Sequence, residues 1–465
     1  MSQKEEYAGI RRGKGWTSLT TTGQTVIKSV IKQRTWQQTL LLLFILACIC
    51  EFFYLLLLAL SPLPGLHLSS SPLAQNPAWS WTLLPSRLLT SALGPLINSS
   101  SQRLISSLLL VIMLTGVTGT YAIAIAYVLH LPGKDYSRRG WLLLLLGWVL
   151  LFGLTLLFQP MLFSDDVFTY IFSGRILSIY GADPLNTAPI QFPHDPYLHW
   201  VISGRDTPNI FGPLWLCIAS LLAAISNSTV VTLLLFKGVA LLAHMLNCVL
   251  VWAILGRIAP ERRLFGTLLY AWNPLALIEL AGSGHNEGIL LSLLLLATWL
   301  YVIQFDEQGQ KTGNQGGGVS LGPPWILEVG SLIVFGLAIS ANLITLLLVP
   351  LYIWFDVRAE ESIPQALLSC CWRTLVILVP PLVISLPFWR GASTFFAITS
   401  AMDMEHFVHA PVATLAGPIR GLFQAAANYW HIPEIVQPVA AADVMLRASA
   451  TFIFALIYIH LFGQV

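Results

Sequence analysis

Long apolar runs separated by short polar or basic turns occupy most of this chain. Runs at 38–60, 104–130, 141–162, 229–256, 264–281, 288–304 and 444–463 each carry few charged positions. Apolar runs of roughly 18 or more residues are long enough to cross a bilayer as helices. "PLWLCIASLLAAIS" (213–226) is short for a span and has the length of a re-entrant or interfacial piece. The stretch 325–355 is either one long tilted helix or two short halves meeting near "SAN" (340–342). After a turn bearing Arg358 and Arg373, a further run, 374–387, leads across again. The pattern predicts an all-α, polytopic integral membrane protein of about nine to eleven helices, with no internal repeat.

The polar intervals are unequal. Residues 163–212 and 388–443 form two long loops, and loops longer than about 15 residues in a compact protein are usually functional. A Pro/Ser-rich interval covers 61–102, and a Gly-rich one, 305–324, has the composition of a flexible connector. Residues 1–37 form a basic segment with Lys4, Arg11, Arg12, Lys14, Lys28, Lys32 and Arg34. Such a segment stays cytoplasmic, and its polar length before the first apolar run argues against a cleavable signal peptide. Residues 38–465 then make one membrane domain whose two long loops are external. If 213–226 does not cross, the basic turn "GRIAPERR" is cytoplasmic, and "GSGHNEG" (282–288) is external beside the first loop. If it does cross, both are inverted. The positive-inside rule favours the first arrangement.

Composition narrows the class. The chain of 465 residues is 56% hydrophobic and only 10% charged, with mean hydropathy +0.73, far from a soluble domain's roughly 25% charged residues. A net charge of +2 is too small to suggest nucleic acid as a partner. The six cysteines lie in or beside apolar stretches, where they act as small core residues rather than as disulfides or zinc ligands.

The chemistry concentrates where the third apolar run ends, at "FSDDVFTYIFSGRILSIYGADPL" (163–185). Val167, Phe168, Ile171, Phe172 and Ile176 recur at helical spacing, and Asp165, Thr169 and Ser173 share another face. This predicts a helix, 167–179, lying in the membrane interface with its apolar side down. Asp165 and Asp166 at its head either cap it and favour its dipole or supply a general base. Capping needs one aspartate. Two adjacent carboxylates repel unless a cation joins them, and a group poised between charge states suits proton transfer.

"SDDVFTYIFSGRI", "YGADPLNTAP", "PHDPYLHW" and "FGPLW" together resemble the first external loop of the GT-C class of glycosyltransferases. More narrowly they are similar to bacterial α-1,6-mannosyltransferases that use polyprenyl-phosphate-mannose. "YAWNPLALIELAGSGHNEG" (270–288) resembles the same group, and the likeness covers 135–288 best. The resemblance implies an enzyme that moves a hexose, with inversion, from a polyprenyl-phosphate-sugar to a hydroxyl of a glycolipid or glycan at the outer face. One carboxylate would be the base, and likeness to motifs opening Asp-Glu points to Asp165 over Asp166. Arg175, Arg205 and Lys237 are candidate cations for the donor phosphate, though arginines at a membrane edge also snorkel. His285 and Asn286 follow the "GSG" turn, and His406 and His409, with Asp403 and Glu405, form the densest polar cluster of the late loop. No resident cofactor is implied, and a divalent cation is left open. The competing class is a secondary transporter or lipid-linked-sugar flippase, which would carry its acids near mid-bilayer on broken helices and show paired repeats.

Overall fold

The computed structural model describes residues 36–60, 72–88, 102–131, 139–312 and 323–392, less a few single positions, with residue 91 and short pieces of the C-terminal run. The basic segment before 36, the cluster around His406 and His409, and most of the last apolar run lie outside the described residues. The described elements are all helical, as a bilayer requires of a chain that must satisfy its own backbone.

Of the first three long helices, α1 (Trp36–Leu60) packs against both α2 (Gln102–Leu129) and α3 (Arg139–Leu157). Beyond them come α4 (Asp166–Ser178), α5 (Pro213–Ile225) and the 30-residue α6 (Thr229–Ile258). The chain continues through α7 (Arg263–Ala271), a bent extension Pro274–Gly282, α8 (Glu287–Thr312), α9 (Pro324–Ala341), α10 (Val349–Val357) and α11 (Ile363–Ser385). α6 touches both halves of the molecule, packing on α3 and α7 on one side and on α8 on the other. Leu43, Ala47, Leu145, Phe152, Leu268 and Trp272 form the core of the first half; Leu332, Phe335 and Ile377 form that of the second. Among the described residues seven helices are long and apolar enough to cross a membrane, and an eighth if the bent pair counts as one. The protein is therefore a multi-pass membrane protein.

Its two ends differ in charge. Lys237, near the start of α6, reaches the carbonyls of Leu157 and Gln159 at the end of α3, so these two helices run antiparallel. Arg139 at the head of α3 consequently shares an end with Arg257, Arg262 and Arg263 at the α6–α7 turn, where Arg263 stacks on Trp252 and donates to its carbonyl. The carboxylates that open α4 are at the opposite end, and so is the turn before α8, whose Asn286 meets Tyr170 of α4. This is the arrangement in which 213–226 does not cross, and α5, with 13 residues, is indeed too short to do so.

Two expectations need correction, and two other readings become sharper. The helix after Asp166 has no free apolar side to lay on a membrane: Val167 to Ile176 are all buried within the protein, its polar positions included. α5 and the 189–201 segment enclose it, and α5 comes so close that a Cβ on Gly174 would stand 2.3 Å from the Ala219 carbonyl oxygen. The 264–281 run is not straight but bends by 49°. Pro274 cannot donate to the preceding turn, Asn273 caps the new one through Leu275 and Ala276 N–H, and the extension closes in a π turn, Ile278–Gly282. Of the two readings open for 325–355, the structure has the broken one: the pieces meet at Asn342, whose side chain accepts from Ile344 N–H. Arg373 is not in a turn but inside α11, where it pairs with Glu328 of α9 at 2.9 Å.

A buried polar set stabilises the 264–281 bend. His244 Nε2 donates to the Ala271 carbonyl at 3.0 Å, so Nδ1 accepts from the Tyr270 hydroxyl at 3.2 Å. That hydroxyl in turn accepts from Asn247, which also donates to the Gly288 carbonyl across the site turn. The bend and the head of α8 are thereby tied to α6.

Candidate active site

Asp165 occupies the N-cap position of α4, yet its carboxylate makes no capping bond; Ser164 Oγ accepts the Asp166 N–H instead, at 3.1 Å. Both aspartates are half-buried where the chain leaves α3. Their position depends on Lys237, which is fully buried in α6. Its ammonium donates to Leu157 at 3.1 Å and to Gln159 at 2.6 Å, complementing the negative end of α3 just before the aspartates. The lysine expected to meet donor phosphate is thus committed to the backbone, and it does not snorkel.

Tyr170 lies one turn after Asp166, on the same face. It is enclosed edge-on by Phe211 and Trp215, and its hydroxyl makes a long bond of 3.5 Å to the side-chain oxygen of Asn286. Burial, then the nearby negative charges of Glu287 and Asp166, push that hydroxyl well above its usual range, so it stays protonated. The turn carrying His285 and Asn286 can approach this closely because of Gly284. It has φ +76°, and even a Cβ there would come within 3.0 Å of Val167 and 3.3 Å of Lys237.

His285 sits between two carboxylates, with Nε2 3.2 Å from Glu279 and Nδ1 3.1 Å from Glu287. Burial by itself would lower its pKa, but the two acids outweigh that and raise it from 6.5 to about 10. His285 therefore brings a positive charge to the carboxylate end at neutral pH. A raised pKa means that its stabilising contribution is complete below about pH 6.5 and lost as pH climbs through about 10. The thermal midpoint of the detergent-solubilised protein should fall between those limits more steeply for the wild type than for His285→Gln. Equal slopes would show that the imidazole is not held charged.

Arg175, expected to contact phosphate, is instead buried against Asp195, its Nη2 2.8 Å and its Nε 3.0 Å from one carboxylate oxygen. Tyr180 donates to the same oxygen at 2.7 Å, the Tyr197 N–H takes the other at 2.8 Å, and the guanidinium lies 4.1 Å over the Tyr197 ring. The pair fastens the "PHDPYLHW" segment to α4. Arg205 is exposed, and its carbonyl accepts from Ile190. Among the described residues no cluster of three metal-ligating side chains occurs.

Asp165, Asp166, His285 and Asn286 are therefore brought to one end of the molecule, Lys237 supports them from beneath, and Arg175 and Arg205 lie elsewhere in the loop. Glu279, a lone acid expected to pair locally or face an internal cavity, joins His285, and Asp195 joins Arg175; neither partner was specified by the sequence. Glu279 stands six positions before His285, a spacing that no regular helix pairs and that the π turn makes possible. Asp195 had a sequence signal in the quoted motif, but its arginine lies twenty positions away.

An all-helical membrane protein with paired carboxylates at the end of a span is what the resemblance to GT-C glycosyltransferases implies. The model of the family described as "Alpha-(1->6)-mannopyranosyltransferase, N-terminal domain" matches residues 75–358, and the chain belongs to that family. Three curated relatives agree. The chain is 28% identical over 189 residues to the Mycolicibacterium smegmatis protein named "Probable alpha-(1->6)-mannopyranosyltransferase", a match covering 39% of this chain and 33% of that one. It is 27% identical over 166 residues to an alpha-(1->6)-mannopyranosyltransferase of Mycobacterium tuberculosis, covering 35% and 27%. It is 28% identical over 139 residues to alpha-(1->6)-mannopyranosyltransferase B of Corynebacterium glutamicum, covering 29% and 23%. The matches thus span a third or less of these relatives' length. No solved structure matches the chain.

Proposed function

We propose that this protein transfers mannose from a polyprenyl-phosphate-linked donor to a hydroxyl of a glycolipid or glycan at the outer face of the membrane, with inversion. The observation that carries this is Asp165, a half-buried carboxylate at a span boundary that stands at a helix N-cap without capping it. A carboxylate so placed can take the proton of the acceptor hydroxyl as its oxygen attacks the anomeric carbon. The bond from that carbon to the phosphate oxygen breaks, and the electron pair leaves with the lipid phosphate, so no strong acid is needed. Asp166, with its charge close to Tyr170, and the positive His285 set the local field. A span boundary also suits the two substrates, since the isoprenoid stays in hydrocarbon while the sugar meets an aqueous acceptor. The deciding experiment supplies purified protein with radiolabelled polyprenyl-phosphate-mannose and, in parallel, its glucose and arabinose analogues. Transfer from the mannose donor alone supports the proposal, and no transfer from any of them rejects it.

Sidedness has its own test. In a variant without the six cysteines, single cysteines at Ser164, Gly204 and Ala410 should react with a membrane-impermeant thiol reagent in intact cells, and one at Ser137 should not. Labelling of position 137 without 164 would invert the topology.

A further inference from the structure

Three stretches far apart in sequence meet at the carboxylate end of the molecule around a cleft of about 370 Å³. One comes from the interval after α1, one from the "PHDPYLHW" segment, and the third is the head of α6. The cleft lies toward the small end of ligand-pocket sizes, roughly 300–1,000 Å³, which suits a short saccharide. Its apolar surfaces are flat or nearly so: Pro72, Pro77 and Pro196, with the indole of Trp200. Its polar groups are uncharged hydroxyls and an amide, from Asn76, Ser228 and Thr229, with the His199 ring at the rim.

Two of these polar groups are available to a ligand. Asn76 uses its side-chain oxygen to accept from Ala78 N–H at 3.0 Å, which leaves its amide N–H groups uncommitted by that bond. Ser228 stands at the N-cap of α6 yet makes no side-chain capping bond. Its hydroxyl and the first-turn amides of the helix therefore offer both an acceptor and donors. No Lys, Arg, Asp or Glu is among the described lining residues. A phosphate would want cations; a sugar wants this combination of ring faces for its C–H surface and neutral partners for its hydroxyls.

The cleft is coupled to the carboxylates. Trp200 stacks on Phe168 with ring centroids 5.5 Å apart and planes 21° from parallel. Phe168 is two residues after Asp166, and its N–H bonds to the Asp165 carbonyl. The cleft thus borders, through Trp200 and Phe168, the first turn of the helix that the aspartates open.

We propose that this cleft binds an uncharged saccharide, the sugar portion of the acceptor, next to the first turn of the helix that Asp165 opens. The assignment to the acceptor rests on the transferase reading above; binding of a neutral saccharide does not. The test titrates detergent-solubilised protein with α-(1→6)-linked mannotriose by saturation-transfer NMR. It compares the wild type with His199→Ala, a change at an exposed side chain, and Asn76→Asp, which keeps the capping oxygen but removes the amide N–H groups. Both variants should bind mannotriose at least fivefold more weakly than the wild type, with thermal midpoints unchanged. Unchanged affinity in both, or no mannotriose binding by folded wild-type protein, would overturn the proposal. If binding is present and lost in the variants while no mannose leaves the polyprenyl donor, the transferase proposal fails and the saccharide cleft stands.

Discussion

Asp165→Asn should abolish mannose transfer, lowering the rate by at least the ~10² to 10⁴ that a general base typically contributes, with expression and thermal midpoint close to wild type. The substitution keeps size and shape and removes only the proton acceptor. Asp165 makes no side-chain capping bond to α4, so the helix start does not depend on its carboxylate. Asp166→Asn is the informative companion. Its carboxylate lies near Tyr170, so the loss of rate should be smaller and accompanied by an altered pH profile. Near-wild-type turnover by Asp165→Asn would remove the catalytic assignment and leave the pair as an N-terminal charge feature.

The largest loss of stability is expected at Arg175. Arg175→Met leaves the fully enclosed carboxylate of Asp195 without its counter-charge, and breaking a buried pair from one side costs about 3–5 kcal/mol. Tyr180 and the Tyr197 N–H still hold Asp195, which keeps the effect from exceeding that range. Adding Asp195→Asn to the same variant should recover a substantial part of the loss, because the uncompensated charge is then gone. Thermal unfolding in detergent reads both. A phosphate ligand would behave differently: Arg175→Met would raise the KM for the polyprenyl-phosphate donor with the thermal midpoint unchanged, and that result would restore the phosphate role and refute the structural one.

Most of the spans were legible because a bilayer forces a simple code: a long apolar run can only be a helix that satisfies its own backbone. α1, α2 and α6 accordingly begin and end within a few residues of the runs that predict them. The interruptions were harder. Asn273–Pro274 carries a local signal for a break, but the π turn after it and the closeness of Gly284 to Val167 depend on what packs against them. α4 shows the limit most clearly. An apolar stripe beside polar positions describes equally well a helix floating on a membrane and one buried in protein that pairs its polar groups internally. Only the cover supplied by α5 and the 189–201 segment distinguishes the two.

The site divides in the same way. Sequence singled out Asp165 and Asp166 because two like charges at the end of an apolar run are costly and therefore conspicuous. His285 and Asn286 stood out as polar residues opening a span. Lys237 and Arg175 were equally conspicuous for the same reason, yet the fold directs one to the end of α3 and the other to Asp195. A buried charge announces that it must have a partner, but composition and spacing cannot say which. By itself the sequence determined an all-helical, multi-pass chain with basic turns at one end and acidic motifs at loop heads, since hydropathy and charge act locally along the chain. Tertiary structure alone decided which cations neutralise backbone or buried acid and which face the carboxylate end, because those pairings join residues up to about eighty positions apart and exist only once the helices have packed.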